Sequence, residues 1–307
     1  MRDTFVKTLL EEARRDPNII LITGDLGYGV LDEFAKELPG QFLNSGVNEQ
    51  AMMGLAAGYA STGKRVFVYS IGNFPTLRCL EQIRNDVCLM NNPVVVVSVG
   101  AGYAYGSQGY THHALEDIAV LRALPNMEVI VPADPLETRE LTRFIVGNKK
   151  PTYLRLGKSN EPTIHTSAPK ITLGGINEIS DGTNGTLLFA GSVGTVALAA
   201  EKELASKGIS VSVASIPFVS SIDTKYLTKA LKMGPVIVIE EHSYRGGVGS
   251  AVLEAVNAAE LQGSIGLVAA DQNNLSQIGD QNFLRNTNGI NVEMIVKKFI
   301  ALQEAQK

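Results

Sequence analysis

A glutamate at the start of a helix is the residue of this sequence best placed for acid–base chemistry. The stretch 44–58 begins as a turn and continues as a helix, in which Asn48 takes the N-cap and Glu49 lies in the first turn. Backbone N–H groups and the helix dipole hold an anion at this position. A lone first-turn acid ordinarily does no more than complement the dipole, so the surroundings of Glu49 must decide its role.

Other polar and aromatic residues follow the neighbouring predicted strands. Asp25 and Leu26 come after the first strand, Glu49 after the second, and Asn73 and Phe74 after the third. A loop at 100–113, which contains glycines, tyrosines and two histidines, follows the fourth. Ligands of open parallel sheets bind outside the carboxyl ends of the strands. We therefore expect these residues to share one edge of one sheet, and this convergence predicts a common site.

The elements that must position this edge alternate between strands and helices. Apolar strands are predicted at 18–23, 41–44, 65–70, 93–99, 127–131 and 152–156. The run at 18–23 is almost wholly apolar, which is typical of a strand buried on both faces of a parallel sheet. Helical periodicity separates the strands, so residues 1–157 are predicted to form an α/β domain with a mostly parallel sheet.

A change in composition marks a second unit. Residues 158–172 lose the periodicity and gain Pro, Ser and Thr, which predicts a linker. Beyond it, strands at 186–190, 209–214, 236–240 and 265–269 alternate with helices and predict a smaller α/β domain over 173–307. A chain of 307 residues has the right length for two domains of ordinary size.

The composition excludes several classes of function. Hydrophobic residues make up 45% of the chain and charged residues 19%, as in globular proteins, and the longest apolar runs are too short to span a bilayer. A net charge of −4 without a basic block predicts no nucleic-acid partner and no membrane partner. The amphipathic N-terminal sequence has no apolar signal-peptide core, so we expect a cytoplasmic protein.

Two further patterns concern packing. Cys79 and Cys88 lie nine residues apart on one predicted helix at 76–90, where about 100° per residue places them on opposite faces. We expect them to fill the core rather than to pair. Gly54 and Gly58 share one face of the Glu49 helix, where another helix could pack unusually closely.

Several motifs resemble those of a known family. Three stretches, 46–84, 112–117 and 124–134, resemble the pyrimidine-binding domain of transketolases and 1-deoxyxylulose-5-phosphate synthases. The stretch 240–249, with the sequence EEHSYRGGVG, is similar to their C-terminal domain. The resemblance covers nearly the whole chain. It implies an α/β enzyme of two domains that uses thiamine diphosphate to transfer a two-carbon ketol unit.

The resemblance also implies roles for the residues at the sheet edge. The family glutamate that matches Glu49 hydrogen-bonds a ring nitrogen of the cofactor's aminopyrimidine and so favours the imino tautomer, which removes the proton from the thiazolium carbon. Asp25 matches an acid that links cofactor and dimer interface. Leu26 matches an aliphatic residue that supports the cofactor's bent shape. His112 matches a histidine that contacts the donor substrate and the reaction intermediates.

Further residues are expected to contact the cofactor or the substrate. Arg155 matches a family arginine that holds substrate phosphate, a role that suits a charged fork. Arg78 keeps additional positive charge near the entrance. Phe74 is the best candidate to stack on the pyrimidine, although it lies one position from the family's phenylalanines. No metal ligand is assigned to this chain.

Three departures from the family concern the substrate. Gln108 stands where the family has an acid in the loop beside His112, and Gly100 stands at the position of a phosphate-binding histidine. The segment 27–30 lacks the serine of the family's first loop. A site without partners for polar groups of the substrate binds them poorly. The departures favour an anionic ketose of another shape, such as a sulfonated, carboxylated or nucleotide-linked one.

The resemblance also implies a partner. Transketolases bind the diphosphate and its Mg²⁺ through a preceding domain with a Gly-Asp-Gly motif, which this sequence lacks. We therefore expect an N-terminal, diphosphate-binding transketolase subunit to hold the Mg²⁺ and to complete an α₂β₂ enzyme. Two alternatives remain open: the β subunit of the first component of a 2-oxo-acid dehydrogenase, and a non-catalytic interaction or regulatory subunit.

Overall fold

The computed structural model describes residues 1–271 and 275–306, and its first domain is built around a six-stranded sheet. Its strands are β1 (Ile19–Thr23), β2 (Phe42–Asn44), β3 (Arg65–Ile71), β4 (Val94–Val99), β5 (Glu128–Ile130) and β6 (Thr152–Leu156). They are all parallel and lie in the order β2-β1-β3-β4-β6-β5. The carboxyl ends of β1, β2, β3 and β4 therefore meet at one edge.

Helices cover both faces of this sheet. They are α1 (Arg2–Ala13), α2 (Asp32–Glu37), α3 (Glu49–Ser61), α4 (Leu80–Gln82), α5 (Asp117–Arg122) and α6 (Pro135–Gly147). Short 3-10 turns lie at Pro39–Gln41, Leu77–Cys79, Gly106–Gln108 and Tyr110–His112. Strand β4 shows why both faces need cover: Val94 and Val96 enter one hydrophobic cluster, and Val95, Val97 and Val99 enter another.

The second domain contains a five-stranded sheet. Its strands are β7 (Asn177–Ser180), β8 (Thr186–Phe189), β9 (Ser212–Ser215), β10 (Val236–Ser243) and β11 (Ile265–Ala270). Its helices are α7 (Gly194–Ser206), α8 (Thr224–Met233), α9 (Val248–Ala258), α10 (Gln281–Thr287) and α11 (Val292–Glu304). The strand order is β11-β10-β8-β9-β7, and β7 is antiparallel to β9. Strand β7 and helix α10 were not predicted from the sequence.

The predicted fold class, two α/β domains with mostly parallel sheets, is confirmed. The first sheet ends at Leu156 and the second begins at Asn177, while the exact boundaries at 157 and 172 stay a prediction. In the part of the chain that the structure describes, no helix is both long enough and apolar enough to cross a bilayer.

The helix that carries the cysteines differs from the prediction. After α4 it continues as a π-helix over Ile83–Leu89. The wider π turn rotates less per residue than an α turn, and both Cys79 and Cys88 are fully buried in the same hydrophobic cluster. The placement of the two residues on opposite faces stays a prediction. The two thiols are free and fill the core, and burial raises the pKa of Cys88 to about 11.

Candidate functional site

The start of α3 is built as the sequence predicts. The side chain of Asn48 accepts a hydrogen bond of 3.0 Å from the backbone N–H of Ala51, which confirms it as the N-cap. Glu49 follows and is only 4% exposed. Gly24, directly after β1, lies against it, since a Cβ at that position would be 3.7 Å from Cγ of Glu49. A buried carboxylate thus lies at the carboxyl edge of the sheet.

Arg78 is the charged partner of this carboxylate. Its Nη1 donates to Oε2 of Glu49 over 2.7 Å, and its Cζ lies 4.7 Å from the ring centroid of Phe74. The Arg78 side chain is 49% exposed, whereas that of Glu49 is 5% exposed. The planar guanidinium therefore bonds to a buried acid and stacks on an aromatic ring at the same time.

His112 also contacts Phe74. The two ring centroids are 5.3 Å apart in an edge-on arrangement. Nδ1 of His112 is 3.0 Å from the hydroxyl of Thr111, and the residue is half-buried. Glu49, Arg78, Phe74 and His112 thus form one continuous row across the ends of β2, β3 and β4.

A side-chain hydrogen bond holds the loops after β3 and β4 together. Nδ2 of Asn73 donates to the carbonyl of His113 over 2.8 Å. Gly72 lies close by, because a Cβ there would be 3.6 Å from the carbonyl of His112. This contact fixes Phe74 and His112 relative to each other. The sequence placed Asn73 beside Phe74 after the third strand, but no role was predicted for it.

Asp25 lies apart from this row, in the turn after β1. Its Oδ1 accepts hydrogen bonds from the Tyr28 hydroxyl (2.6 Å) and from Nδ2 of Asn44 (3.0 Å). The hydrogen bond from Tyr28, followed by that from Asn44, lowers the pKa of Asp25. Leu26 is half-buried, and its carbonyl accepts the Thr23 hydroxyl. This turn presents an ionised acid at the same sheet edge.

The space above Gly100 is filled by Tyr105. A Cβ at Gly100, where φ is +99°, would lie 2.3 Å from the Tyr105 ring, so only glycine fits. Nζ of Lys158 lies 4.7 Å from the centroid of that ring. Gln108 is exposed. Lys158 was not predicted to belong to the site. It lies two residues after β6, and the rule that ligands bind outside the carboxyl ends of parallel strands, here called the strand-end rule, applies to it as it does to the other residues.

The guanidinium of Arg155 is buried and bonded to other groups of the protein. It is 2% exposed, and its Nε donates to Asp117 over 2.6 Å while Nη2 donates to the carbonyls of Ala114 (2.6 Å) and Glu241 (3.0 Å). Burial alone would lower the pKa of Arg155, but the Asp117 carboxylate raises it above its ordinary value. These contacts do not support the expected role of Arg155 as a ligand of substrate phosphate.

The outer face of α3 is apolar and open. In the described part of the chain, a Cβ at Gly54 or Gly58 would have no neighbour within 4 Å. A shallow groove of about 560 Å³ runs along this face, and Leu55 and Tyr59 on it are 43% and 40% exposed. The residues that line it are Ala51, Gly54, Leu55, Gly58, Tyr59 and Thr62. Apolar surface of this kind marks an interaction site.

Comparison with known proteins identifies the family. Residues 1–163 match the family model of the transketolase pyrimidine-binding domain, and residues 174–275 match that of the transketolase C-terminal domain. The chain belongs to the transketolase family. The resemblance stated from the sequence motifs is thereby confirmed. Among residues 1–271 and 275–306 of this transketolase-family chain, no cluster of three or more His, Cys, Asp or Glu is arranged to hold a metal ion.

Two curated relatives and one solved structure align with most of the chain. One subunit of the apulose-4-phosphate transketolase of Phocaeicola vulgatus is 39% identical over 83% of this chain and 83% of its own length. A subunit of a 6-deoxy-6-sulfo-D-fructose transketolase from a Clostridium species is 33% identical over 83% of this chain and 80% of its own length. A split-gene transketolase, solved as an inactive β4 tetramer, has a TM-score of 0.87, 31% identity and 98% coverage of both chains.

Proposed function

We propose that this protein is the C-terminal subunit of a two-chain, thiamine-diphosphate-dependent transketolase that transfers a two-carbon ketol unit from a ketose donor to an aldehyde acceptor. The observation that carries the proposal is the row of Glu49, Arg78, Phe74 and His112 at the carboxyl edge of the first sheet. It supplies an acid, an aromatic platform and a histidine where ligands of parallel sheets bind.

The residues present fit an aminopyrimidine. Glu49 already accepts an N–H from a planar group that stacks on Phe74, namely the Arg78 guanidinium. The pyrimidine of thiamine diphosphate is also planar and nitrogen-rich. It too needs a hydrogen-bond acceptor, which Glu49 would supply, and an aromatic ring to stack on, which Phe74 would supply. When bound, the cofactor supplies a thiazolium carbon that accepts the ketol unit. Glu49 would hold the proton at the pyrimidine nitrogen, and Phe74 would support the ring.

Arg78 and His112 would act toward the substrate. Arg78 has to release Glu49 when the pyrimidine binds, and its half-exposed side chain is then available to an anionic donor. His112 lies 5.3 Å from Phe74, next to the expected cofactor position, where an imidazole can hold or move a proton on the donor's hydroxyl. Asp25 and Leu26 would support the cofactor from the turn after β1, in which Asp25 is held ionised.

A partner subunit would complete the site. We assign to it the diphosphate and the Mg²⁺, and we place its contact with this chain on the open face of α3, in an α₂β₂ assembly. The names of the two relatives, each given as one subunit of a transketolase, support a divided enzyme. They favour a transketolase over a 2-oxo-acid dehydrogenase component or a non-catalytic subunit. The cytoplasmic location stays a prediction.

Reconstitution tests the proposal. The isolated chain should bind thiamine diphosphate weakly and show no turnover, and addition of the N-terminal subunit should produce magnesium-dependent cofactor binding and ketol transfer together. Calorimetry measures the binding, and a coupled aldehyde assay measures the turnover. Tight, magnesium-dependent binding of the cofactor by the isolated chain would contradict the division of the site between two subunits.

A further inference from the structure

The loop that carries His112 rests on the second domain. We call residues 100–113 the His112 loop. Its two ends pair, because Gly102 and Ala114 exchange backbone hydrogen bonds of 3.1 and 2.9 Å. Between these ends the loop leaves the first sheet and reaches β10 and α10. Its position therefore depends on residues outside the domain that carries Glu49.

Glu241 makes a direct contact with this loop. It lies in β10, is 3% exposed, and its Oε1 accepts the backbone N–H of Tyr103 over 2.6 Å. The carboxylate comes so close that a Cβ at Gly102 would lie 2.4 Å from its Cγ. Gly102 has a φ of +59°, so a side chain there would meet both backbone strain and a clash. The loop backbone is thus shaped around one carboxylate of the other domain.

The second domain holds that carboxylate firmly in place. Arg285 donates to Oε2 of Glu241 through Nε (2.8 Å) and Nη2 (2.5 Å), and it also donates to the Ser192 hydroxyl over 2.7 Å. Nε2 of Gln281 lies 3.0 and 3.1 Å from the two carboxylate oxygens. Replacement of a whole buried ion pair by apolar groups is often neutral for stability, whereas removal of one partner leaves the other charge buried and unpaired. The carboxylate of this pair contacts the first domain at the Tyr103 N–H, while the backbone carbonyl of Glu241 accepts a separate hydrogen bond from Arg155.

The contact continues from Tyr103 to the histidines. The Tyr103 ring packs edge-on against His113 with centroids 5.2 Å apart, and Nε2 of His113 lies 3.3 Å from the carbonyl of Gly106. Gly106 in turn abuts α10, since a Cβ there would be 2.4 Å from Leu284. His113 adjoins His112 in sequence. Glu241 and α10 therefore hold both sides of the turn that presents His112.

We propose that Glu241 is a positioning residue for the donor site: by binding the Tyr103 N–H it sets the place of His112, and through it the second domain takes part in substrate turnover. The inference rests on the proposed function for its kinetic consequence, though not for the structural one. A displacement of a reacting group by about 1 Å costs up to about 100-fold in rate. Loss of the anchor should fall on the donor step rather than on cofactor activation, which depends on Glu49.

The test compares Glu241→Ala and Glu241→Gln with a matched control, Glu240→Ala. Glu240 precedes Glu241 in the same strand, is 2% exposed and accepts two backbone N–H groups, those of Val248 and Gly249, but both lie within its own domain. Three quantities are measured: hydrogen exchange of residues 100–113 in the full chain, kcat/KM for the donor in the reconstituted complex, and proton–deuterium exchange at the thiazolium carbon.

We expect Glu241→Ala to expose the Tyr103 amide to exchange and to lower the donor kcat/KM by about 10- to 100-fold, with thiazolium exchange unchanged. Glu241→Gln keeps an acceptor oxygen for the Tyr103 N–H, so its donor kcat/KM and its amide protection should fall less than those of Glu241→Ala. Glu240→Ala should change the overall stability without either effect. Unchanged protection of the loop in Glu241→Ala would overturn the inference whether or not the complex is a transketolase. Equal losses of donor turnover and thiazolium exchange would show a general structural role and also overturn it.

Discussion

Nη1 of Arg78 lies 2.7 Å from Oε2 of Glu49, so that the acid at the start of α3 is neutralised by a side chain that is itself half exposed. Separation of the ion pair costs the two partners different amounts of free energy. Arg78 can turn into water, whereas Glu49 stays buried and needs another donor. Because Arg78 is half exposed and Glu49 is buried, a ligand can replace Arg78 as the partner of Glu49 while α3 stays folded.

Removal of the Arg78 charge should destabilise the free chain more than the loaded enzyme. In Arg78→Met, the Glu49 carboxylate loses its partner, and an unsatisfied buried group costs about 1–3 kcal/mol of unfolding free energy. In the complex with thiamine diphosphate and Mg²⁺, the pyrimidine would take the place of the guanidinium, so the loss of stability should be smaller. Urea unfolding of the free chain and thermal unfolding of the complex with and without cofactor measure the two losses.

The control for this comparison is Arg14→Met. Arg14 is similarly exposed, at 46%, but it pairs with Glu37, which is itself 38% exposed. Such a surface pair contributes about 0–1 kcal/mol, and its loss should not depend on the cofactor. An Arg78→Met loss that stays the same with and without cofactor would mean that the pyrimidine does not reach Glu49.

Glu49→Gln tests the acid itself. The amide keeps the shape and can still face Arg78, but it cannot share the proton that favours the imino tautomer of the cofactor. Proton transfer by a positioned side chain contributes about 10²- to 10⁴-fold, so turnover of the reconstituted complex should fall by this factor. Proton–deuterium exchange at the thiazolium carbon should slow in parallel. An exchange rate equal to that of the wild type would leave Glu49 as an ordinary helix-start acid.

The strand-end rule explains how far sequence reasoning reached. Glu49, Phe74 and His112 follow parallel strands, and the rule brings such residues to one edge without knowledge of the side chains. It could not place Arg155, because that residue lies inside β6 and its partner Asp117 is 38 residues away along the chain. Whether a charged side chain at a strand end faces inward or outward depends on such distant partners, which have no local signal.

Three other features of the structure were not predicted from the sequence, each for a different reason. Strand β7 is polar and half-exposed, so it lacks the apolar run by which the other strands were recognised. The π-helical segment Ile83–Leu89 changes the helix phase, so a periodicity of 3.6 residues does not describe it. Glu241 belongs to a motif that was noted, but its function depends on a loop 138 residues earlier in the chain.

A further prediction concerns His165, in the predicted linker. Nδ1 of His165 lies 3.0 Å from Asp134, and Nε2 lies 3.7 Å from Glu137, although among the described residues neither ring nitrogen has a hydrogen-bond partner of regular geometry. Burial lowers the pKa of His165, but Asp134 and then Glu137 raise it above the ordinary value of 6.5. The folded state therefore favours the imidazolium.

The sign of the pH dependence follows from this direction. The contribution of His165 to stability is complete below its unfolded pKa of about 6.5 and is lost as the pH rises through the raised folded pKa. His165→Gln should therefore destabilise the chain more at about pH 5.5 than at about pH 8.5. Urea unfolding at both pH values measures the difference. Asp134→Asn, which keeps an N-cap for α6, should reduce the pH dependence of the His165→Gln effect and leave the part that Glu137 causes. An effect of His165→Gln that is equal at both pH values would contradict the ion pair.

The last prediction concerns the donor. Gly100 offers no side chain, Tyr105 fills the space above it, and Gln108 replaces an acid, so a pentulose phosphate lacks several of its expected partners. A cation remains, because Lys158 lies on the Tyr105 ring at the same sheet edge. Both observations favour an anionic ketose of another shape, and two relatives are named for apulose 4-phosphate and for 6-deoxy-6-sulfo-D-fructose.

A donor panel on the reconstituted complex should accordingly rank a sulfonated, carboxylated or nucleotide-linked ketose above xylulose 5-phosphate in kcat/KM. Lys158→Met should lower kcat/KM for the best anionic donor by about 10- to 100-fold, since a hydrogen bond to a charged group contributes about 1.5–3 kcal/mol, and it should leave thiazolium exchange unchanged. The matched control is Lys229→Met, because Lys229 also lies over a tyrosine ring, that of Tyr226, but pairs with Glu178 in the second domain. If xylulose 5-phosphate has the highest kcat/KM of the panel, the absent contacts at Gly100 and Gln108 do not determine specificity. If Lys158→Met and Lys229→Met behave alike, the anion binds elsewhere, because Lys229 belongs to the second domain and not to the sheet that carries Glu49.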